Sequence, residues 1–153
     1  MSGIRVVGMG SPHGDDQAGW RLVEMLGTAV DATALSDPGR LLDHLEGCEK
    51  LILVDACRSG QAPGTILRLS WPDASLRTFA GGSTHSLGIG AVLALAENLG
   101  RLPPAVVLFA VEAESREPNQ ELSPAVSAAL PELCRRVRGE IGPMSPVGRM
   151  SPL

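Results

Sequence analysis

Apolar and polar positions along this chain fall into blocks that switch between strand and helix periods. Ile4-Arg5-Val6-Val7 is a short apolar run, and Gln17-Ala18-Gly19-Trp20-Arg21-Leu22-Val23 follows with helical spacing. This predicts a strand, a turn and a helix over about 16–26. Val30-Asp31-Ala32-Thr33-Ala34-Leu35 reads as a second, weaker strand. Asp37-Pro38 has the form of a cap followed by proline at the first helical position, opening a short helix through Leu45. Leu51-Ile52-Leu53-Val54 places four aliphatics in a row, the mark of a strand buried on both faces, and ends in Asp55. The turn residues 58–64 are too few for a helical crossover. The alternating Thr65-Ile66-Leu67-Arg68-Leu69 is therefore predicted as an antiparallel edge strand. Ile89, Val92, Leu93, Ala96 and Leu99 keep a 3.6 period for a third helix, and Ala105 to Val111 is the last buried strand. Ser123-Pro124 opens a final helix with Val126, Leu130, Leu133 and Val137 on one face, in which Pro131 should produce a kink or a restart.

Strands alternating with helices predict an α/β fold. It is expected to be a three-layer α/β/α sandwich with a mostly parallel, about five-stranded sheet and one antiparallel edge strand. Residues 1–141 are expected to form a single domain, and 142–153, rich in Pro, Ser and Met, a flexible C-terminal tail.

Composition narrows the function. A net charge of −4 and a pI near 5.3 give no electrostatic footprint for nucleic acid. Aromatics at 3% supply no platform for stacking bases. No window approaches the roughly 18 apolar residues of a membrane span, and no basic region followed by a long apolar segment marks a signal peptide. Cys48, Cys57 and Cys134 are widely separated and read as reduced thiols, so a cytoplasmic location is expected.

Candidate chemistry gathers where strands end, since ligands of such sheets sit beyond the carboxyl ends of the strands. The first strand runs into Gly8-Met9-Gly10-Ser11-Pro12-His13-Gly14-Asp15-Asp16, whose glycines suit a turn that visits positive φ. The spacing matches neither the dinucleotide fingerprint nor a P-loop, and two carboxylates stand where a phosphate would go. Such a loop suits a cation. Capping and the helix dipole account for one acid, but two exceed what capping needs. Asp55 closes an aliphatic strand, where a carboxylate is costly without a partner. His85 lies on a Gly-rich junction before the third helix. Of the other histidines, His44 reads as a surface residue, and His13 as an exposed loop residue or else an extra ligand. Two carboxylates and one imidazole make a mixed O/N set for a borderline divalent ion such as Zn²⁺, Ni²⁺ or Mn²⁺, with a coordination position left open. An ion there could polarise a carbonyl or activate water.

Two nucleophile readings fail. Thr84-His85-Ser86-Leu87-Gly88 imitates an esterase nucleophile elbow, but Thr84 replaces the first glycine and no histidine follows His85 in the chain. Cys57 reads better as a small buried thiol beside the third strand.

With these residues in view, the chain resembles the hydrogenase maturation proteases, which finish the large subunit of [NiFe] hydrogenases. The resemblance spans roughly Ile4 to Val137. It rests on Val7-Gly8-Met9-Gly10-Ser11 leading to Asp15-Asp16-Gln17-Ala18-Gly19, on Leu53-Val54-Asp55-Ala56, on Thr84 to Gly88, on Val106 to Glu112 and on Leu122-Ser123-Pro124-Ala125-Val126. Ser11 stands where the family usually carries asparagine, and Asp16 where glutamate is common. The resemblance implies a five-stranded, mostly parallel sheet between helices. It implies an endopeptidase, aspartic-type or metal-dependent, that removes the C-terminal extension of a nickel-loaded large-subunit precursor. It further implies that Asp16, Asp55 and His85 are the catalytic, metal-contacting residues. The nickel would be carried by the substrate, with zinc or another divalent ion able to take its place. Two other functions fit the same residues: a non-cleaving, nickel-checking chaperone for that precursor, or a metal-dependent amidohydrolase for small molecules.

Overall fold

The computed structural model describes residues 3–81, 88–114 and 121–142. Five strands form one sheet: β1 (Ile4–Met9), β2 (Ala32–Leu35), β3 (Lys50–Cys57), β4 (Ile66–Ser70) and β5 (Ala105–Glu112), in the spatial order β2-β1-β3-β5-β4. The β1–β2, β1–β3 and β3–β5 pairs are parallel, and only β4 runs antiparallel, on the edge against β5. This is the expected mixed sheet. The short 58–64 connection admits no crossover, so β4 must return beside a strand in the opposite sense.

β3 lies at the centre, and its alternation builds both cores. Leu51 and Leu53 join Val7, Met9, Leu108 and the α3 (Ile89–Asn98) residues Ile89, Val92, Leu93 and Ala96 on one face. Ile52 and Val54 face the other way, onto Leu22 and Leu26 of α1 (Ala18–Leu26) and Leu130, Leu133 and Val137 of α4 (Pro124–Ile141). With helices on both faces, the sheet is the middle of three layers. Each of these β3 aliphatics is fully buried, which explains a run with no polar position in it.

Three local expectations need correction. β3 continues past Asp55 to Cys57, because Asp55, Ala56 and Cys57 keep their register with Ala110, Val111 and Glu112. Asp55 is therefore inside the strand. α4 is one helix through Pro131, so the chain does not restart there. The Ser127 carbonyl loses its usual amide partner there, but both residues are exposed and water can take the amide's place. The segment after Asp37 is a 3₁₀ helix over Pro38–His44, with the Asp37 carboxylate accepting the Gly39 N–H at 2.9 Å as a cap does. A short helix, α2 (Ala74–Arg77), had no periodic signature to predict it.

All three cysteines are buried and free. Among the described residues no helix is long and apolar enough to cross a membrane. The expected tail beyond Gly142 lies outside the described residues.

Candidate active site

The glycines at the end of β1 and beyond it serve close packing more than turning. A Cβ on Gly8 would stand 2.2 Å from the Gly19 carbonyl oxygen, and one on Gly19 would stand 2.3 Å from the Met9 carbonyl oxygen and 2.8 Å from that of Val54. α1 thus sits backbone to backbone on β1 and β3. A Cβ on Gly10 would meet the Asp16 carbonyl oxygen at 2.3 Å. In this stretch only Gly14 takes a positive φ, of 54°. The result is a short 3₁₀ turn over Gly14–Gln17, carrying Asp15 and Asp16 past the ends of the central strands.

The two acids have different surroundings. Asp15 is fully buried, and its carboxylate accepts the Glu114 N–H at 2.7 Å, the Ser123 N–H at 2.7 Å and the Ser123 hydroxyl at 2.9 Å. Ser123 in turn caps α4 by accepting the Val126 N–H. Asp15 therefore ties the loop after β1 to the start of α4, which is a structural role. Asp16 is one-fifth exposed, with the Ser11 hydroxyl at 3.4 Å from Oδ2 and Arg58 Nη1 at 3.6 Å from Oδ1. Oδ1 is itself buried, and among the described residues it receives no hydrogen bond. Burial raises the Asp16 carboxyl above its ordinary value of 3.8, against the lowering influence of Arg58, Ser11 and His13.

Asp55 follows Val54, which is level with Gly8 on β1, so Asp55 and the segment after β1 that carries Asp16 lie at one end of the sheet. Asp55 is 5% exposed, and Oδ1 accepts the Ala56 N–H at 2.8 Å. Oδ2 stands against Gly81, where an added Cβ would fall 2.3 Å away. Gly81, at φ 84°, is the last described residue before the segment that holds His85, and the chain re-enters at Gly88, the N-cap of α3. His85 itself lies outside the described residues. His13 is exposed, as expected, whereas His44 is half-buried and its carbonyl accepts Arg5 Nη1 at 2.7 Å.

Two residues at this end of the sheet escaped sequence reasoning. Glu112, at the end of β5, is 4% exposed and accepts the Ser59 hydroxyl at 2.6 Å and the N–H groups of Ser59 and Gly60 at 2.9 and 3.2 Å. Burial acts to raise its carboxyl, but these donors outweigh it and hold the group below its ordinary 4.5. Arg58 is the other, brought beside Asp16 by the loop that Glu112 grips. No local signal marks either one, because their partners are far away in sequence. Cys57 is unsuited to nucleophilic attack: burial first, then the Glu112 charge, push its thiol up to about 11.

A buried carboxylate oxygen with no hydrogen bond is stabilised by positive charge, and Arg58 already supplies some. Among the described residues no three His, Cys, Asp or Glu side chains converge to hold a metal ion. A set completed by His85 would take its third member from outside them.

The chain matches the family model of the hydrogenase maturation proteases over residues 30–140, a span that includes Asp55 and His85. It is 33% identical to the hydrogenase expression/formation protein HoxM of Azotobacter vinelandii, over 87% of this chain and 73% of the relative. The counterpart HupM of Azotobacter chroococcum is 32% identical, over 87% and 72%. Among solved structures, the hydrogenase maturating endopeptidase HybD from E. coli is similar with a TM-score of 0.77 and 29% identity, covering 90% of this chain and 91% of that one. A hydrogenase 2 maturation peptidase from a Thaumarchaeota archaeon gives 0.69 and 28%, covering 91% and 97%.

Proposed function

The chain belongs to the hydrogenase maturation protease family, and from that premise we propose that it is a metal-dependent endopeptidase acting on the nickel-loaded precursor of a [NiFe] hydrogenase large subunit, from which it removes the C-terminal extension. Nickel enters with the substrate, and Asp16, Asp55 and His85 meet it. The observation that carries the metal part is Asp16 Oδ1, a buried carboxylate oxygen with no hydrogen bond among the described residues, at the sheet end it shares with Asp55. Oxygen donors of this kind, joined by an imidazole, suit a borderline divalent ion.

Each residue has a share in the work. Asp55 is fixed through Oδ1 by the Ala56 N–H and faces the start of the His85 segment at Gly81. Asp16 is carried on a turn that Asp15 clamps to the α4 cap, so its position is set by buried hydrogen bonds. Such preorganisation matters because a displacement of about 1 Å can cost a hundredfold in rate. A metal engaged there would polarise the scissile carbonyl or activate water.

The test is cleavage. Incubated with nickel-loaded large-subunit precursor, the protein should yield a product shortened at its C-terminus, and Asp16→Ala, Asp55→Ala and His85→Ala should not. Wild-type cleavage by His85→Ala would remove the histidine from the site. Equal cleavage of nickel-free precursor would remove nickel from the recognition, and precursor that is bound but never shortened would point to a chaperone.

A further inference from the structure

The relation between Arg58 and Asp16 does not look like a structural salt bridge. Elsewhere in this molecule Arg68 closes a two-pronged fork on Glu140, with both nitrogen–oxygen distances at 2.9 Å. That is the geometry of a pair formed for its own stability. Arg58 Nη1 stands 3.6 Å from Asp16 Oδ1, outside hydrogen-bonding distance, although both side chains are about four-fifths buried. Arg58 is held there from behind. The next two residues are gripped by Glu112, through the Ser59 N–H and hydroxyl and the Gly60 N–H, and the preceding Cys57 is paired in the sheet with Glu112 itself. The chain therefore sets a permanent positive charge beside Asp16 Oδ1, at a distance longer than a hydrogen bond.

Arg58 also lines a cleft of about 240 Å³ formed with Ser59, Ser75, Thr78, Phe79 and Gly81. The cleft gives a displaced guanidinium somewhere to go.

We propose that Arg58 is a specificity-determining residue: its guanidinium occupies the cation-facing side of Asp16, weakens binding of free divalent ions, and yields only to a metal delivered within a protein substrate. A free ion must overcome the repulsion of Arg58 with nothing to offer it in return. A metal held in a polypeptide arrives with anionic ligands, which give the guanidinium a new partner as it leaves Asp16. Arginine suits this role because it stays charged at every working pH and its planar head can re-pair with another anion. The inference rests on the proposal that Asp16 faces metal.

The experiment is calorimetric titration of the full chain with Ni²⁺ alone, with thermal unfolding as the control for structure. Arg58→Met keeps the apolar stem and removes the charge, and should bind Ni²⁺ at least tenfold more tightly than the parent. Arg58→Lys retains the charge and should stay near the parent's weak binding, which a purely structural role of the side chain would not produce. Adding Asp16→Ala to Arg58→Met should abolish the gain. Unchanged or weaker binding by Arg58→Met overturns the proposal, as does Arg58→Lys binding as tightly as Arg58→Met. If tighter binding by Arg58→Met survives Asp16→Ala, the metal-facing assignment of Asp16 is itself wrong and the inference falls with it. Should Arg58→Met fail to fold, Arg58→Gln makes the same comparison.

Discussion

The Asp15 carboxylate accepts the Ser123 backbone N–H at 2.7 Å across 108 positions of sequence, while its neighbour Asp16 presents an oxygen that receives no hydrogen bond among the described residues. Two adjacent aspartates thus divide the labour: one holds the loop in place, and the other is held. Asp15→Asn would put an amide N–H₂ against donors that need an acceptor. It should destabilise the fold by about 2–3 kcal/mol. Asp16→Asn removes a carboxylate whose burial already disfavours its charge, so stability should change by less than about 1 kcal/mol while processing is lost. Denaturant unfolding of both variants, paired with the cleavage assay, checks this. Equal destabilisation by the two would refute the division.

Gly81 makes a second asymmetry testable. It has φ 84° and no space for a Cβ, which would lie 2.3 Å from Asp55 Oδ2, whereas Gly60 has φ 92° with nothing within 4 Å of the same atom. Gly60→Ala should cost only the left-handed backbone penalty, about 1–2 kcal/mol. Gly81→Ala carries that penalty and a collision with the Asp55 carboxylate. It should lose processing activity outright and unfold at a lower temperature than Gly60→Ala. Wild-type processing by Gly81→Ala would show that Asp55 need not keep its present position.

Much of this architecture was legible because it depends on local pattern. The unbroken aliphatics of 51–54 announce a strand between two cores, and the shortness of 58–64 announces the antiparallel edge. What stayed hidden depends on contacts distant in sequence. Gly8 and Gly10 read as turn residues, yet their lack of a Cβ makes room for the Gly19 and Asp16 carbonyls. Asp15 and Asp16 look alike on paper, and only the fold shows which one meets Ser123. Glu112 reads as the polar end of a strand, with nothing nearby to suggest that it grips Ser59 and Gly60. Asp16 and Asp55 were singled out as candidates because they follow or close parallel strands, a rule of topology that a pattern of strands and helices carries.

Glu112 gives the third prediction. Its carboxylate accepts three donors from Ser59 and Gly60, and a glutamine would replace one acceptor oxygen with a further donor. Glu112→Gln should cost about 1–3 kcal/mol. If Arg58 is positioned through this loop, the variant should also tighten Ni²⁺ binding, though less than Arg58→Met does. Calorimetry on Glu112→Gln reads the effect directly. Parent-like metal affinity together with lowered stability would confine Glu112 to the fold.

The last prediction concerns acid. Glu140, near the end of α4, is met by Arg68 Nε and Nη2 at 2.9 Å each and by Lys50 Nζ at 2.7 Å, fastening that helix to β3 and β4. The Arg68 bonds first, then those from Lys50, hold its carboxyl down at about 2 against an ordinary 4.5. A carboxyl depressed in the folded state stabilises the fold above its unfolded value and loses that contribution as pH falls through its folded value. The stabilisation should therefore be complete above about pH 5 and fade between pH 4.5 and 2. A shift of this size bounds the effect at about 3 kcal/mol, and solvent screening at the half-exposed Arg68 reduces it to about 1–2 kcal/mol. Glu140→Gln should accordingly unfold more easily than the parent at pH 7, with the gap closing as the pH approaches 2. Urea unfolding of both proteins at pH 7, 5, 4 and 3 measures that gap. A difference that persists undiminished at pH 3 would mean that Glu140 contributes through packing and not through its charge.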